Sequence, residues 1–326
     1  MPSAKVSNTL KRLARRLFDE EDQQQAFIQS LVQPVTFPVA VVWLDESERP
    51  ASGFATLPRP EWLPTYIDLV DIAERPGRHP LHDQGAFYCL DPSSVFMSLS
   101  LTAIDERMSG VVLDACASPG GKSILSWRAL RPDLLVSNEV IGKRVGALIS
   151  NLKRCQIQPA TVLSADTKAL AEQAAQAADV VVVDAPCSGQ SMIARGKDSP
   201  GCFHPATINM NANRQRRILA NSSRVVRPGG FLAYMTCTFS LKENERNLEW
   251  FLKKHPKFQC IEVPLLEQFQ SQFSDSPCYR MWPESGQGAG GFTVLLQRSD
   301  DDSQENGCFS RFSPRWQQPV NGEPAS

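Results

Sequence analysis

DACASPGGKS, residues 114–123, follows an apolar strand from Val111 to Leu113 and opens a helical pattern, and its reading decides the fold. A glycine-rich turn between a strand and a helix lets backbone amides approach a ligand closely, and the helix N-terminus adds a positive field. A phosphate-binding Walker loop would need glycine five residues before Gly121, where Cys116 stands, and the dinucleotide pattern GxGxxG is absent. The remaining common guest of such a turn is an adenosyl cofactor.

Outward from the turn, strands are expected at Val111 to Leu113, Leu134 to Ser137, Thr161 to Ser164, Val180 to Val183 and Phe231 to Met235, with helical patterns between them. That alternation makes a doubly wound, mostly parallel α/β sheet. GFTVLLQR at 291–298 adds a late strand, expected to pair antiparallel at an edge with FQCIEV at 258–263. Glu139 follows the second strand, where an acid receives ribose hydroxyls in this architecture. Asp166 follows the third, within reach of an adenine amino group. Acids after strands are also common as caps and turn residues, so neither carries the reading alone.

Before this core, residues 1–84 read as a small mixed α+β unit: an amphipathic helix from Asn8 to Leu31, an apolar strand in FPVAVVWLD at 37–45, and a passage broken by Pro58, Pro60, Pro64, Pro76 and Pro80. The catalytic core is expected over residues 85–298, and residues 299–326 as a flexible tail. Lys5, Lys11, Arg12, Arg15 and Arg16 lie around Leu10, Leu13 and Leu17 at helical spacing. The simpler account of them is a solvated helix face, since Asp19, Glu20, Glu21 and Asp22 follow at once; contact with a polyanion is the alternative.

The chain has 326 residues, 42% of them hydrophobic, and a formal net charge of −1, so any polyanion site must be local. No apolar run approaches the roughly 18 residues of a membrane span, and the opening residues lack the apolar centre of a signal peptide. The expectation is a cytoplasmic, non-membrane protein. Nine cysteines in that setting do not suggest a disulfide framework, and neither they nor the four histidines are spaced for zinc, so no metal is expected. Two cysteines close apolar strands: Cys187 in DVVVVDAPCSG, 179–189, and Cys237 in FLAYMTCTFS, 231–240. A free cysteine is ordinarily a small buried hydrophobe. In a sheet of order 3-2-1-4-5, however, the fourth and fifth strands are neighbours, and both thiols would enter one pocket at their carboxyl ends. Ser240 and Glu243 also have the S-x-x-E form of a capping box, which would set Cys237 in a short loop before a capped helix, where a thiolate is favoured.

GAFYCLDPSS at 85–94, LDACASPGGKS at 113–123, NEVIGKR at 138–144, DAPCSG at 184–189, RPGG at 227–230, YMTCTFSLKENE at 234–245 and GGF at 290–292 come in an order that resembles the RNA cytosine C5-methyltransferases of the Sun/Fmu (NOP/NOL-type) class. The resemblance covers roughly residues 85–298 and implies a Rossmann-like class I methyltransferase core that uses S-adenosylmethionine. It also implies that Cys237 is the nucleophile that adds to C6 of cytosine, and that Cys187 assists release of the methylated product. Asp184 would lie between cofactor and base, with Lys122 beside it holding the substrate ring. The residues implied around the cofactor are Cys116, Ala117, Ser118, Pro119, Gly120, Gly121, Lys122, Glu139, Arg144, Asp166 and Asp184, of which Arg144 reads as structural or backbone-contacting and the Cys116 thiol as structural. Asp91 in LDPSS reads as a helix cap near the cofactor pocket.

The implied substrate is RNA, ribosomal or transfer, with a single-stranded or flipped-out cytosine, because C5 and C6 cannot be reached within a stacked helix. Residues 1–84 would contact that RNA, and the protein is expected to be a monomer. Ser118 where the family commonly has alanine, Met235 before TC, Leu90 in LDPSS, and GQSMIARGKD after PCS depart from the common pattern without touching a reacting group.

Overall fold

The computed structural model describes residues 6–33, 35–300, 305 and 307–319. The amino-terminal part contains α1 (Asn8–Leu17), α2 (Glu21–Val32), β1 (Val39–Trp43), β2 (Ile67–Val70), α3 (Pro80–Asp83) and β3 (Phe87–Leu90). Next come α4 (Pro92–Ser98), β4 (Val111–Asp114), α5 (Gly121–Leu130), β5 (Leu134–Asn138), α6 (Gly142–Arg154), β6 (Ala160–Leu163), α7 (Thr167–Gln173) and β7 (Ala178–Asp184). The chain continues through α8 (Ser191–Ala194), α9 (Pro205–Val225), β8 (Val226–Thr236), α10 (Glu245–Lys254), β9 (Phe258–Ile261), β10 (Tyr279–Met281), β11 (Gly291–Arg298) and β12 (Trp316–Gln318).

The large sheet runs β10-β11-β8-β7-β4-β5-β6-β12, with β9 also on β11. Its middle, β6-β5-β4-β7-β8, is parallel and has the expected 3-2-1-4-5 order. Both faces are covered, which explains the uninterrupted valines of β7: Val180 and Val182 enter one core with Val112 and Ala233, while Val181 and Val183 enter the other with Leu113 and Tyr234. β9 and β11 pair antiparallel as expected, Leu295 facing Ile261.

Three expectations are corrected. The helix expected over Asn8 to Leu31 is two helices, because Phe18 is extended (φ −139, ψ 132) and packs its ring on Phe27 and Trp282. The acidic run then supplies Glu21 and Asp22 to the first turn of α2, where they complement the helix field. The sheet of the amino-terminal unit, β2-β1-β3, takes its last strand from Phe87–Leu90, beyond the boundary expected at residue 84, since β1 has a free edge that Tyr88 and Cys89 complete. Residues 299–326 are not wholly a tail. Trp316–Gln318 forms β12 on the exposed edge of β6, and Arg315 N–H donates to the Val162 carbonyl. Residues 301–304, 306 and 320–326 of that segment, and Lys5 of the basic start, lie outside the described residues.

The helices α1 and α2 do not sit on the small sheet. Leu10, Ala14, Leu17, Phe27 and Leu31 share a core with Phe239 and Ala289 of the large domain, and the Phe27 ring meets Phe239 edge-on at 5.2 Å. The amino-terminal helices therefore brace the loop that follows Cys237.

Candidate active site: two thiols at adjacent strand ends

β7 and β8 are parallel neighbours in register, Val183 opposite Tyr234 and Asp184 opposite Met235, so the loops beyond them leave the sheet side by side. Ala185 N–H donates to the Met235 carbonyl and Ser191 N–H to the Cys237 carbonyl, which stitches the two loops together. The outcome is a Cys187 Sγ to Cys237 Sγ distance of 3.2 Å, with both cysteines free and half-buried. The two thiols are thus neighbours, as the order of the strands led one to expect.

The pair is not symmetric. The Cys237 thiol is shifted down from its ordinary value by its hydrogen bond with Cys187, aided by the Lys122 ammonium and a hydrogen bond with Ser191, against burial and the Asp184 charge. Cys187 is pushed well above that value by the same hydrogen bond and by burial, with the Glu243 carboxylate adding to the shift. Of the two, Cys237 is the thiol whose ionised form is the more favoured and Cys187 the one that more readily keeps its proton.

Glu243 corrects the capping-box expectation. α10 begins at Glu245, its N-cap Asn244 makes no side-chain cap, and Glu243, fully buried, turns instead to the first loop. Its carboxylate accepts from Ser188 N–H at 2.8 Å, from Ser188 Oγ at 2.7 Å and from Gln215 Nε2 at 3.1 Å. The residue after Cys187 is thereby fixed to the element after Cys237. Asn244 completes the loop by donating to the Thr238 carbonyl and accepting from Thr236 Oγ1. Gly290 is needed here: with φ at +92, any added Cβ would lie 2.6 Å from the Phe239 ring. Sequence reasoning missed these supports, and the only signal was the clustering of polar residues after TC.

Lys122, in the first turn of α5, points its Nζ at Asp184 Oδ2, 3.4 Å away. A lysine there opposes the helix field, and Asp184 is the partner that offsets it. Both line a cleft of about 760 Å³ that lies between the large sheet and the amino-terminal unit, with Phe37, Tyr88 and Leu90 on its far wall.

The glycine turn is shaped as its reading required. Gly120 has φ +113, a conformation open to glycine at low cost, and precedes the first turn of α5, whose amides have no intrahelical acceptor. Asp114 ends β4 fully buried and accepts from Ser123 Oγ and Cys116 N–H; burial pushes its carboxyl up to about 7. The Cys116 thiol is raised above the usual range, chiefly by burial. Glu139 is 3% exposed; its Oε1 accepts from Ile141 N–H and its Oε2 is 3.3 Å from Arg144. Arg144 in turn donates to the Ser118 carbonyl, which ties α6 to the glycine turn.

Asp166 is exposed and caps α7 by accepting from Lys168 N–H, and Asp91 caps α4 by accepting from Ser93 N–H. Asn138, unremarked in the sequence, ties three strand ends together through the Ala115 and Ala165 carbonyls and the Ala165 N–H. Val140 and Ile141, next to Glu139, are 56% and 43% exposed, an apolar pair at a polar strand edge. Among the described residues no cluster of three or more histidine, cysteine or acidic side chains could hold a metal, and no helix is long and apolar enough to cross a membrane.

A 3-2-1-4-5 sheet with a glycine turn after its first strand, and paired thiols after the fourth and fifth, defines a class I methyltransferase core of the two-cysteine kind. Residues 101–297 match the model of the 16S rRNA methyltransferase RsmB/F family, and the chain belongs to that family. It is 29% identical over 228 residues to ribosomal RNA small subunit methyltransferase F of Aeromonas hydrophila subsp. hydrophila, covering 69% of this chain and 44% of that protein. To the protein of the same description from Klebsiella pneumoniae it is 30% identical over 190 residues, covering 58% and 39%. The chain thus spans less than half the length of these two relatives. Among solved structures it resembles NSun6 from Pyrococcus horikoshii with SFG, at TM-score 0.71 and 17% identity, over 90% of this chain and 99% of that one. A methyltransferase homolog protein from the same organism gives 0.69 and 18% over 90% and 100%.

Proposed function

We propose that the chain is an S-adenosylmethionine-dependent RNA cytosine C5-methyltransferase acting through a covalent bond between Cys237 and C6 of the target base. The observation that carries this reading is the polarised thiol pair, Cys187 to Cys237 at 3.2 Å, beside Lys122 and Asp184. C5 of cytosine is a poor nucleophile until a thiolate adds at C6 and makes the ring an enamine. Cys237, already favoured as thiolate, makes that addition. Lys122 and Asp184 line one cleft, where the ammonium would donate to the N3–O2 edge on which negative charge gathers and the carboxylate would accept from the exocyclic amino group. For the methylated base to leave, the C5 proton must pass to a base as the Cys237 Sγ–C6 bond breaks, and Cys187 Sγ, 3.2 Å from Cys237 Sγ, stands where it can assist that elimination.

The residues present fit an adenosyl group. Glu139 would take the ribose hydroxyls, exposed Val140 and Ile141 would cover an adenine face, Asp166 would meet its amino group, and the turn from Cys116 to Gly121 would hold the amino-acid end. When bound, S-adenosylmethionine supplies an electrophilic methyl group. The relatives are described as ribosomal RNA small subunit methyltransferases, which favours small-subunit ribosomal RNA over transfer RNA as substrate. A non-catalytic assembly factor would need neither thiol, so the enzymatic reading is preferred.

The test is incubation with labelled S-adenosylmethionine and ribosomal RNA lacking the modification, followed by bisulfite sequencing. Cofactor-dependent 5-methylcytosine at a defined position is expected. Its absence from every RNA offered overturns the reading.

A further inference from the structure

A second groove, of about 280 Å³, lies away from the Lys122–Asp184 cleft, where α1 crosses the start of α9 and the end of the nucleophile loop. Its lining brings together Arg12 and Arg16 of α1, Lys242, and Arg246 of α10, with Phe203 and Leu241 between them. No aspartate or glutamate lines it. Among the described residues none of the four cations has an ion-pair partner; Lys242 Nζ donates to the neutral Asn209 Oδ1. Such a concentration of uncompensated positive charge is notable in a chain whose net charge is −1.

The charges of α1 are segregated. Arg12 and Arg16, one turn apart, face this groove, whereas Lys11 and Arg15 line a separate surface with Asp19 and Glu21. A merely solvated helix face has no reason to set two of its cations on a surface shared with carboxylates and the other two over an apolar floor that no carboxylate lines. The groove also adjoins the chemistry: Ser240, which ends the loop containing Cys237, is part of its wall, and Arg246 N–H donates to the Leu241 carbonyl.

We infer that this groove holds the sugar-phosphate backbone of single-stranded RNA flanking the target cytosine, with the half-buried Phe203 ring as an apolar platform for a neighbouring base. The chemistry matches: a row of cations tracks phosphates, and an aromatic ring between them takes a base face without regard to sequence. An acidic protein segment would use the cations but has no planar group for Phe203. The inference rests on the reading of RNA as substrate and deepens it, placing α1 in substrate binding as well as in support of the Cys237 loop.

The test is the affinity of the full chain for a fluorescent, unstructured, cytosine-containing RNA oligonucleotide, read by anisotropy over a salt series. Arg12→Ala/Arg16→Ala is compared with Lys11→Ala/Arg15→Ala, which removes the same charge from the same helix outside the groove. Two lost phosphate contacts make the slope of log affinity against log salt shallower by about 1.4 in the first variant. The second variant is expected to stay near the parent, and Arg12→Lys/Arg16→Lys to keep the parental slope. Equal loss in both alanine variants, or loss in neither, overturns the proposal. So does Arg12- and Arg16-dependent binding of polyglutamate with RNA binding unaffected, which would assign the groove to an acidic protein. Binding is read without methyl transfer, so groove-dependent RNA binding in a chain that makes no 5-methylcytosine would count against the proposed activity and not against the groove.

Discussion

Removing one carboxylate, in Glu245→Ala, is expected to destabilise the fold by about 3–5 kcal/mol, the range for leaving one partner of a buried ion pair uncompensated. Glu245 and Arg280 are each 2% exposed and meet through two contacts of 2.5 Å, Nε to Oε1 and Nη2 to Oε2. Ser271 Oγ donates to Glu245 Oε1 at 2.7 Å, and Arg280 Nη1 donates to the Phe239 carbonyl at 3.2 Å. The guanidinium is enclosed by Trp282, Phe273 and Phe292, with centroids 5.0, 5.4 and 5.7 Å away, so water cannot replace the lost carboxylate. Glu245→Leu/Arg280→Met removes both charges and should cost only about 1–2 kcal/mol, chiefly for the Ser271 hydroxyl and the Phe239 carbonyl left without partners. The assay is urea unfolding of the parent, the two single variants and the double variant at neutral pH. A single substitution costing under about 1 kcal/mol, or a double variant equal to the sum of its singles, refutes the claim that this buried pair is strongly coupled.

Other outcomes follow from the site. Because the Asp114 carboxyl is pushed from 3.8 to about 7 by burial, the unfolded chain ionises first as pH rises, and stability should fall by on the order of 4 kcal/mol between those values. Asp114→Asn should flatten that part of the stability–pH curve, and an unchanged slope in urea unfolding contradicts the assignment. Alkylation of Cys237 by iodoacetamide, followed by peptide mass spectrometry, should persist to lower pH than for an ordinary thiol; Lys122→Met should move the inflection upward, and an unmoved or lowered inflection rules out the ammonium's part. Glu243→Ala leaves the Ser188 N–H and hydroxyl without their acceptor, a loss of about 1–3 kcal/mol, and should slow turnover while leaving first-cycle attack by Cys237 intact. Rapid-quench kinetics showing normal steady-state turnover would count against that role.

The central sheet was legible because apolar runs separated by helical patterns are a local signal, and parallel winding then brings the ends of β7 and β8 together. The proximity of Cys187 and Cys237 followed from that order alone. What makes the two thiols unequal was not legible, since their mutual hydrogen bond, the Lys122 ammonium and Asp184 carboxylate beside Cys237, and the Glu243 carboxylate beside Cys187 are brought together only by tertiary packing. Ser240 and Glu243 had the spacing of a capping box, but α10 starts two residues later, at Glu245, and the buried Glu243 carboxylate uses its acceptors chiefly on Ser188 and Gln215. β12 escaped notice because three residues, Trp316–Gln318, carry no periodicity and owe their conformation to the open edge of β6. The single helix read through Phe18 failed for a related reason: the ring of Phe18 is worth more buried against Phe27 and Trp282 than the continuity of the helix.

The roles of the two thiols are separated by denaturing gel analysis of the chain incubated with S-adenosylmethionine and substrate RNA. Cys187→Ala should accumulate a nuclease-sensitive covalent RNA complex, and Cys237→Ala should form none. A complex that persists in Cys237→Ala and is lost in Cys187→Ala would contradict the assignment of Cys237 as the nucleophile.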